Sequence, residues 1–268
     1  MTGSSPTPSG SGRGETEANE NLPAGRISKP RAHRWLWLLW VLALLVFVAD
    51  VAYPVSNRGT REAGAVLVVI LWFGLLGLCW PWRSVRLVLL VITFCCSTFL
   101  SLPARRLPPV DSLRAEYVAG LRRYEGVSYY WGGEGPTGID CSGLIRRGLI
   151  DSFFLRGIRT LDPGLVRRAF SLWWHDCTAR ELGEAQNGLT VHVLDTPSVN
   201  SLRDPRLAPG DLAVTTSGIH IMAYAGGNAW IEADPAAGRV ISATTPAPNI
   251  SWFDTPMRVV RWTVLAEQ

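Results

Sequence analysis

Residues 129–144 read Tyr-Tyr-Trp-Gly-Gly-Glu-Gly-Pro-Thr-Gly-Ile-Asp-Cys-Ser-Gly-Leu, an aromatic run followed by a glycine-rich turn and one cysteine. Apolar side chains then recur at helical spacing from Leu144 to Phe153, so we expect Cys141 in the first turn of a helix with Asp140 as its N-cap. Unpaired amide N–H groups and the positive end of a helix dipole stabilise a thiolate at that position. The stretch therefore predicts a nucleophilic cysteine, in preference to a small buried cysteine that only packs.

Four histidines are candidates for the base that such a thiol needs. His33 adjoins an apolar region, and His175 and His192 are better explained as solvated or core residues. His220 opens the segment Ile219–Ala225, which has the pattern of a strand. We therefore expect His220 to be the base.

The register of the hairpin that follows predicts the group that orients this imidazole. With a three-residue loop at residues 225–227, His220 lies directly opposite Glu232 on the same face of the sheet. A two-residue turn would instead place the two on opposite faces. In the first register Glu232 accepts a hydrogen bond from one ring nitrogen, and the other nitrogen is free to deprotonate Cys141. Asp234 is the alternative orienting residue, and an ordinary cross-strand charge pair is the alternative role for the two side chains.

The N-terminal part of the chain has the composition of a membrane anchor. Residues 1–34 are rich in Ser, Gly, Pro and Glu without apolar periodicity, and we expect a disordered polar tail. Three apolar spans follow at about 35–53, 63–82 and 87–102, each near the roughly 20 residues that cross a bilayer. Tryptophan and tyrosine lie near the span ends, as in an aromatic belt. Residues 35–102 therefore predict three transmembrane helices in the lipid bilayer, in preference to a buried helical core.

Basic residues on either side of the spans indicate the orientation. An N-terminus in the cytosol would place there six of them, namely Arg26, Lys29, Arg31, Arg34, Arg83 and Arg86. Five others would lie outside, namely Arg58, Arg61, Arg105, Arg106 and Arg114, so the charge bias is small. With three spans the region after Leu102 lies outside the cytoplasm, and with two it lies inside. We expect three spans and an extracytoplasmic C-terminal domain.

The C-terminal part has the pattern of an α+β domain. A Pro/Arg linker at residues 103–111 leads to residues 112–268, which are enough for one packed domain. Helices are predicted over Leu113–Tyr124, from Cys141 onward and over Leu165–Glu184. Short strands follow at Thr190–Leu194, Asp211–Val214, Ile219–Ala225, Asn228–Ala233, Arg239–Ser242 and Arg258–Leu265. Helices followed by an antiparallel sheet are typical of an α+β arrangement.

Charge and cysteine content exclude several classes of function. The net charge of +4 comes from scattered arginines without a basic run, so we expect no nucleic-acid partner. The five cysteines form no C-x-x-C pair, so we expect no metal site, no disulfide framework and no cofactor. A bridge between Cys141 and Cys177 would block the predicted nucleophile. The sequence does not indicate an oligomeric state.

Four elements of the domain recur together in a known family. They are Tyr129-x-Trp131-Gly132-Gly133, Gly138-Ile139-Asp140-Cys141-Ser142-Gly143-Leu144, the turn Pro209-Gly210-Asp211-Leu212, and His220. In these the chain resembles the NlpC-like cysteine peptidases, papain-like enzymes that cut the peptide stems of bacterial cell walls. The resemblance covers roughly residues 113–265 and none of the membrane part.

The resemblance implies a fold and a role for each matched residue. It implies a papain-like NlpC-type catalytic domain, with N-terminal helices packed on an antiparallel sheet. Cys141 is then the nucleophile, His220 the base and Glu232 the orienting residue, at a position where the family often has a second histidine. Tyr129 would help to hold the oxyanion. The substrate pocket would be lined by Asp140, Ser142 and Trp131.

The function that the resemblance implies is hydrolysis of peptidoglycan stem peptides at a γ-D-glutamyl–diamino acid bond. Extra residues between Ile150 and Pro205 distinguish the chain from the family, and we expect Trp173, Trp174 and His175 to wall the cleft. Two alternatives remain open. The same thiol and imidazole could transfer an acyl group, or the domain could be an inactive cell-wall binding module on a membrane scaffold.

Overall fold

The computed structural model describes residues 29–266, in which three long apolar helices precede an α+β domain. The apolar helices are α1 (Lys29–Ala52), α2 (Arg58–Leu78) and α3 (Arg83–Ser101). Residues 1–28, which hold most of the predicted polar tail, lie outside the described residues. The helix start at Lys29 extends α1 beyond the predicted apolar span by about a turn and a half.

All three helices are long and apolar enough to cross a membrane. Their large apolar side chains are solvent-exposed, with Trp35 at 66% and Phe94 at 72%. Apolar surface on this scale marks contact with lipid or with another protein. Helix α2 begins before the predicted span because Asn57 caps it, accepting a hydrogen bond from the Thr60 amide at 3.1 Å.

The domain contributes four helices, namely α4 (Val110–Arg122), α5 (Cys141–Thr160), α6 (Pro163–Trp174) and α7 (Ala179–Gly183). The single helix predicted over Leu165–Glu184 is wrong, because α6 ends at Trp174 and Thr178 caps a new helix. Arg146 stabilises this break: its guanidinium donates to the carbonyls of Leu172 at 2.8 Å and His175 at 3.3 Å. These carbonyls have no partner within the helix itself.

Six strands form one antiparallel sheet in the order β3-β8-β4-β5-β6-β7. They are β3 (Thr190–Thr196), β4 (Leu212–Thr215), β5 (Ile221–Gly226), β6 (Ala229–Asp234), β7 (Arg239–Thr244) and β8 (Met257–Trp262). A two-residue hairpin, β1 (Glu134–Gly135) with β2 (Gly138–Ile139), precedes α5. The main core lies between one face of the sheet and helices α4 to α7, so the α+β fold predicted from the sequence is confirmed.

The β5–β6 hairpin differs from the predicted register. Tyr224 pairs with Trp230 and Gly226 with Ala229, with a bulge between Tyr224 and Gly226. The turn is therefore Gly227-Asn228, whose φ angles of 60° and 65° are those that a tight two-residue hairpin turn requires. The pairing moves by two residues relative to the prediction, which keeps each side chain on its predicted face.

The loop between α1 and α2 contacts the domain. Val55 forms an antiparallel bridge with Gly133, and the Ser56 amide donates to the Gly132 carbonyl at 2.9 Å. The Glu134 amide donates to the carbonyl of Pro54 at 3.3 Å. A segment of the predicted membrane region thus lies against the turn that leads to Cys141.

Candidate active site

Cys141 is the first residue of α5, and Asp140 is its N-cap, as the sequence predicts. One carboxylate oxygen of Asp140 accepts from the Gly143 amide at 2.6 Å and from the Ser142 hydroxyl at 3.0 Å. The other accepts from the Gly132 amide at 2.8 Å. The carboxylate therefore ties the glycine-rich turn to the start of the helix, a structural role beside the predicted substrate contact.

Glycine allows the two segments to approach closely at this point. A Cβ on Gly143 would lie 2.1 Å from the Gly133 carbonyl oxygen, a distance that no side chain tolerates. Gly132 has a φ of 75°, which glycine adopts without strain. The turn and the first turn of α5 thus form one compact unit around the cysteine.

The surroundings of the Cys141 thiol favour its protonated form. Burial, and to a smaller extent the negative charge of Asp140, raise its pKa to about 12 against the opposing effect of nearby backbone N–H groups. The raised pKa therefore disfavours the resting thiolate that the sequence predicts: the helix start does supply N–H groups, but burial outweighs them.

His220 and Glu232 form a buried pair, with 2% and 1% of each side chain exposed. The imidazole Nε2 is hydrogen-bonded to the Glu232 carboxylate. The ring also stacks on Trp252, with 4.5 Å between ring centroids and 19° between the planes. No hydrogen bond to Nδ1 is found among residues 33–266, whose side chains the structure describes. Burial raises the pKa of Glu232, and the bond to His220 lowers it by less.

The pair lies next to the segment that approaches Cys141. The thiol sulfur is 4.0 Å from the carbonyl oxygen of Ile219, the residue before His220. The backbone of His220 is fixed through Thr215, whose hydroxyl accepts from the His220 amide at 3.1 Å. Asp234 instead accepts from the Ala236 and Ala237 amides in the following turn and does not hold the imidazole.

A cleft of about 550 Å³ opens onto Cys141. Its lining includes three predicted site residues, Trp131, Asp140 and Ser142, together with residues from α7, from the turn before β5 and from the α1–α2 loop. His220, Glu232 and Tyr129 are not part of the lining. The structure therefore places Cys141 and the predicted substrate-binding residues at the cleft and the His220–Glu232 pair in the interior.

Tyr129 lies within electrostatic range of Cys141. Burial is the largest cause that raises the pKa of its phenol to about 12, and the nearby Cys141, Asp140 and Asp234 contribute to the same rise. The phenol is therefore a proton donor at neutral pH. Its backbone amide donates to the Gly238 carbonyl at 2.8 Å, which fixes the residue beside the sheet.

The other histidines have local partners, as expected. His175 contacts the Ser171 carbonyl at 2.9 Å, and His192 contacts Asp195 at 3.2 Å on the surface. The prediction that residues 173–175 wall the cleft is wrong. Trp173 and Trp174 belong to the last turn of α6 and line a separate cavity of about 730 Å³ against α1 and α2.

All five cysteines are free thiols, so Cys141 and Cys177 form no disulfide. Cys177 lines the cleft as well, and burial raises its pKa to about 12. Within residues 29–266 no group of three His, Cys, Asp or Glu side chains is arranged to hold a metal ion.

Sequence reasoning missed two contributors to the site. Trp252 lies in a short 3₁₀ turn (Ser251–Asp254) after a Pro/Asn-rich segment, and no motif or periodicity marks it as a partner of His220. Ser56 precedes α2 and reaches the cleft only through the contact between the loop and Gly132. Both are long-range relationships without a local sequence signal.

No protein-family model matches the chain, and no curated protein sequence does. Among solved structures, the chain is similar to NlpC1 from Trichomonas vaginalis, with 16% identity over 60% of this chain and 48% of that one, and a TM-score of 0.36. It is similar to the P60 domain of an antigen from M. avium subspecies paratuberculosis, with 20% identity over 59% and 98% of the two chains and a TM-score of 0.35. It is also similar to the peptidoglycan hydrolase RipB from Mycobacterium tuberculosis, with 19% identity over 66% and 79% and a TM-score of 0.37. The solved structures that this chain is similar to thus include proteins of the NlpC/p60 kind, the family that the motif around Cys141 resembles.

Proposed function

We propose that this protein is a membrane-anchored cysteine peptidase that hydrolyses amide bonds in peptidoglycan stem peptides. The observation that supports this most is the position of one thiol. Cys141 begins a helix and opens onto a cleft of about 550 Å³, and its sulfur lies 4.0 Å from the carbonyl next to His220. The imidazole is in turn held by a buried carboxylate, which is the arrangement that activates a nucleophile.

The proposed mechanism begins with a neutral thiol. His220 Nδ1 removes the thiol proton as the sulfur attacks the amide carbonyl, and Glu232 stabilises the imidazolium that forms. Backbone N–H groups at the start of α5 and the Tyr129 phenol stabilise the oxyanion. The imidazolium then protonates the leaving amine, which leaves a thioester on Cys141. His220 next deprotonates a water molecule that attacks the thioester and releases the acid and the thiol.

The substrate class rests on the resemblance of the motif. The family cuts peptide stems at the γ-D-glutamyl–diamino acid bond, and we propose that the cleft of this protein binds and cleaves a bond of the same class. Trp131, Asp140 and Ser142 line the cleft beside the sulfur and are proposed to contact the stem peptide.

The contact between the α1–α2 loop and the domain supports the proposed topology. Because Val55 pairs with Gly133, the domain must lie on the same side of the membrane as this loop. Helices α2 and α3 connect this loop to the domain, so either both cross the bilayer or neither does, and both have the length and composition of a span. We propose that α1, the third candidate span, crosses as well. With the N-terminus in the cytosol, the cleft then faces the extracytoplasmic side, where peptidoglycan is located.

Hydrolysis by the purified full-length chain tests the proposal. In detergent micelles the protein should release free amine and free acid products from muropeptides, measured by mass spectrometry. Cys141→Ala should abolish the reaction, whereas Cys95→Ala, at an exposed position of α3, should not change it. Full hydrolysis by Cys141→Ala would refute the proposal. A stable amine adduct would identify a transferase instead, and binding without cleavage by the unaltered protein would identify a binding module.

A further inference from the structure

One arginine of the second membrane helix reaches the interior of the catalytic domain. Arg61 of α2 is 3% exposed, and its Nη2 lies 2.9 Å from a carboxylate oxygen of Glu134 in β1. Its Nε donates to the Ser56 hydroxyl at 3.0 Å, so the same side chain also holds the loop that lines the cleft. A long charged side chain is rarely buried in this way without a fixed partner.

Glu134 is held from two sides. Arg146 of α5 lies 2.8 Å from its other carboxylate oxygen and 2.7 Å from Asp176, while Arg61 lies 3.6 Å from Asp176. Two arginines and two carboxylates therefore form one compact network with no net charge. Loss of either arginine would leave an excess negative charge in the buried network. Each arginine therefore holds the Glu134 carboxylate in place.

The position of Glu134 is transmitted to Cys141 through the backbone. The preceding residue, Gly133, accepts a hydrogen bond from the Asp140 amide at 3.0 Å, and the Gly132 amide donates to the Asp140 carboxylate at 2.8 Å. Asp140 is the N-cap of the helix that Cys141 begins. A shift of Glu134 would therefore move the cap and the sulfur together.

We propose that Arg61 is a positioning residue for Cys141, through which the second membrane helix sets the geometry of the nucleophile. The membrane region would then be part of the active enzyme in addition to being its anchor. This inference rests on the proposed function of the cleft, but the contacts that support it do not depend on the identity of the substrate.

Steady-state kinetics of the full-length chain in detergent test this role. Because a displacement of about 1 Å at a reacting atom costs on the order of 100-fold, Arg61→Met should lower kcat by about 10- to 100-fold and change KM by less than about threefold. Arg61→Lys keeps the charge and should restore part of kcat. The matched control is Arg58→Met on the same helix, whose side chain is 91% exposed and pairs only with Glu62 among the described residues. It should stay within about twofold of the unaltered protein.

A double variant tests whether Arg61 acts through Glu134. Arg61→Met with Glu134→Gln removes one positive and one negative charge, so it avoids the excess negative charge that Arg61→Met alone leaves in the buried network. If the two residues act as one unit, the double variant should be no slower than the slower single variant and still at least about fivefold below the unaltered protein. Additive losses, or a folded double variant with unaltered kcat, would overturn the proposal.

Alkylation of Cys141 provides a readout that does not depend on hydrolysis. The iodoacetamide rate at this residue, followed by peptide mass spectrometry, should change by at least about threefold in Arg61→Met and stay constant in Arg58→Met. If the unaltered protein cleaves no muropeptide, the proposed function fails while the alkylation rates still decide the role of Arg61. Equal rates in both variants, with unchanged thermal unfolding, would contradict it.

Discussion

Glu232 holds Nε2 of His220 from a neighbouring strand, although the two residues are not direct partners in the sheet. The observed pairing of Tyr224 with Trp230, continued along the strands, places Glu232 opposite Met222. Glu232 and His220 are therefore diagonal neighbours on one face, a separation that a long side chain spans. The bond occupies Nε2, so Nδ1 is the ring nitrogen that the proposed mechanism uses as the base.

Replacement of Glu232 tests the importance of this bond. Glu232→Gln keeps the size of the side chain but removes the charge that stabilises an imidazolium, so kcat for muropeptide hydrolysis should fall about 10- to 100-fold. The control is Asp195→Asn, which alters an exposed histidine–carboxylate pair with His192 and should stay within about twofold. Equal activity of the Glu232→Gln variant and the unaltered protein would show that the carboxylate does not orient the base.

Trp252 should matter because its ring supports the face of the His220 imidazole. Trp252→Leu removes the stacked ring and should lower kcat about tenfold, since the imidazole gains rotational freedom. Trp252→Phe keeps an aromatic face and should retain most of the activity. Steady-state rates with the three proteins distinguish these outcomes, and a Leu variant as active as the Phe variant would contradict a role for stacking.

Gly143 should tolerate no side chain. The Cβ of Gly143→Ala would lie 2.1 Å from the Gly133 carbonyl oxygen, so the turn must move away from α5. Overpacking of this kind costs about 1–3 kcal/mol, and the midpoint of thermal unfolding should fall accordingly. Gly77→Ala is the control, because nothing lies within 4 Å of the added Cβ. A thermal midpoint for Gly143→Ala equal to that of the control would mean that the turn and helix are not in tight contact.

The buried thiols predict a loss of stability in alkaline solution. Burial raises the pKa of Cys177 from an ordinary value of 9.0 to about 12. Between these values the unfolded chain has lost the proton while the folded chain retains it. The free energy of unfolding is therefore fully retained below pH 9 and falls above it, by up to about 1.4 kcal/mol per pH unit for each such thiol.

Cys177→Ala isolates this effect. Denaturant unfolding measured from pH 8 to pH 11 should show a smaller alkaline loss in the variant than in the unaltered protein, which keeps both raised thiols. The comparison is between the two losses in free energy of unfolding from pH 8 to pH 11, because the substitution also changes packing and so alters the stability at every pH. Parallel curves over this range would show that Cys177 does not retain its proton in the folded state.

Much of the helix and strand pattern could be predicted because it depends on local spacing. The Cys141 helix, its Asp140 cap and the six strands of the sheet follow from apolar periodicity and turn residues. The break between α6 and α7 could not, because Arg146 stabilises it from a different helix. The predicted hairpin loop at residues 225–227 is wrong, and the turn is Gly227-Asn228. The three consecutive small residues Ala225, Gly226 and Gly227 are compatible with more than one loop. The observed pairing differs from the predicted one by two residues, so Glu232 stays on its predicted face of the sheet.

The sequence by itself determined the chemistry that the chain can offer: one cysteine after a glycine-rich turn, one histidine at a strand start, one carboxylate on the same sheet face, and three apolar spans. Only the tertiary structure decided the state and surroundings of these groups. Burial raises the pKa of the Cys141 thiol, Trp252 stacks on the imidazole, and Arg61 reaches from α2 to Glu134. These depend on residues far apart in the chain, and desolvation and buried ion pairs arise only when packing excludes water.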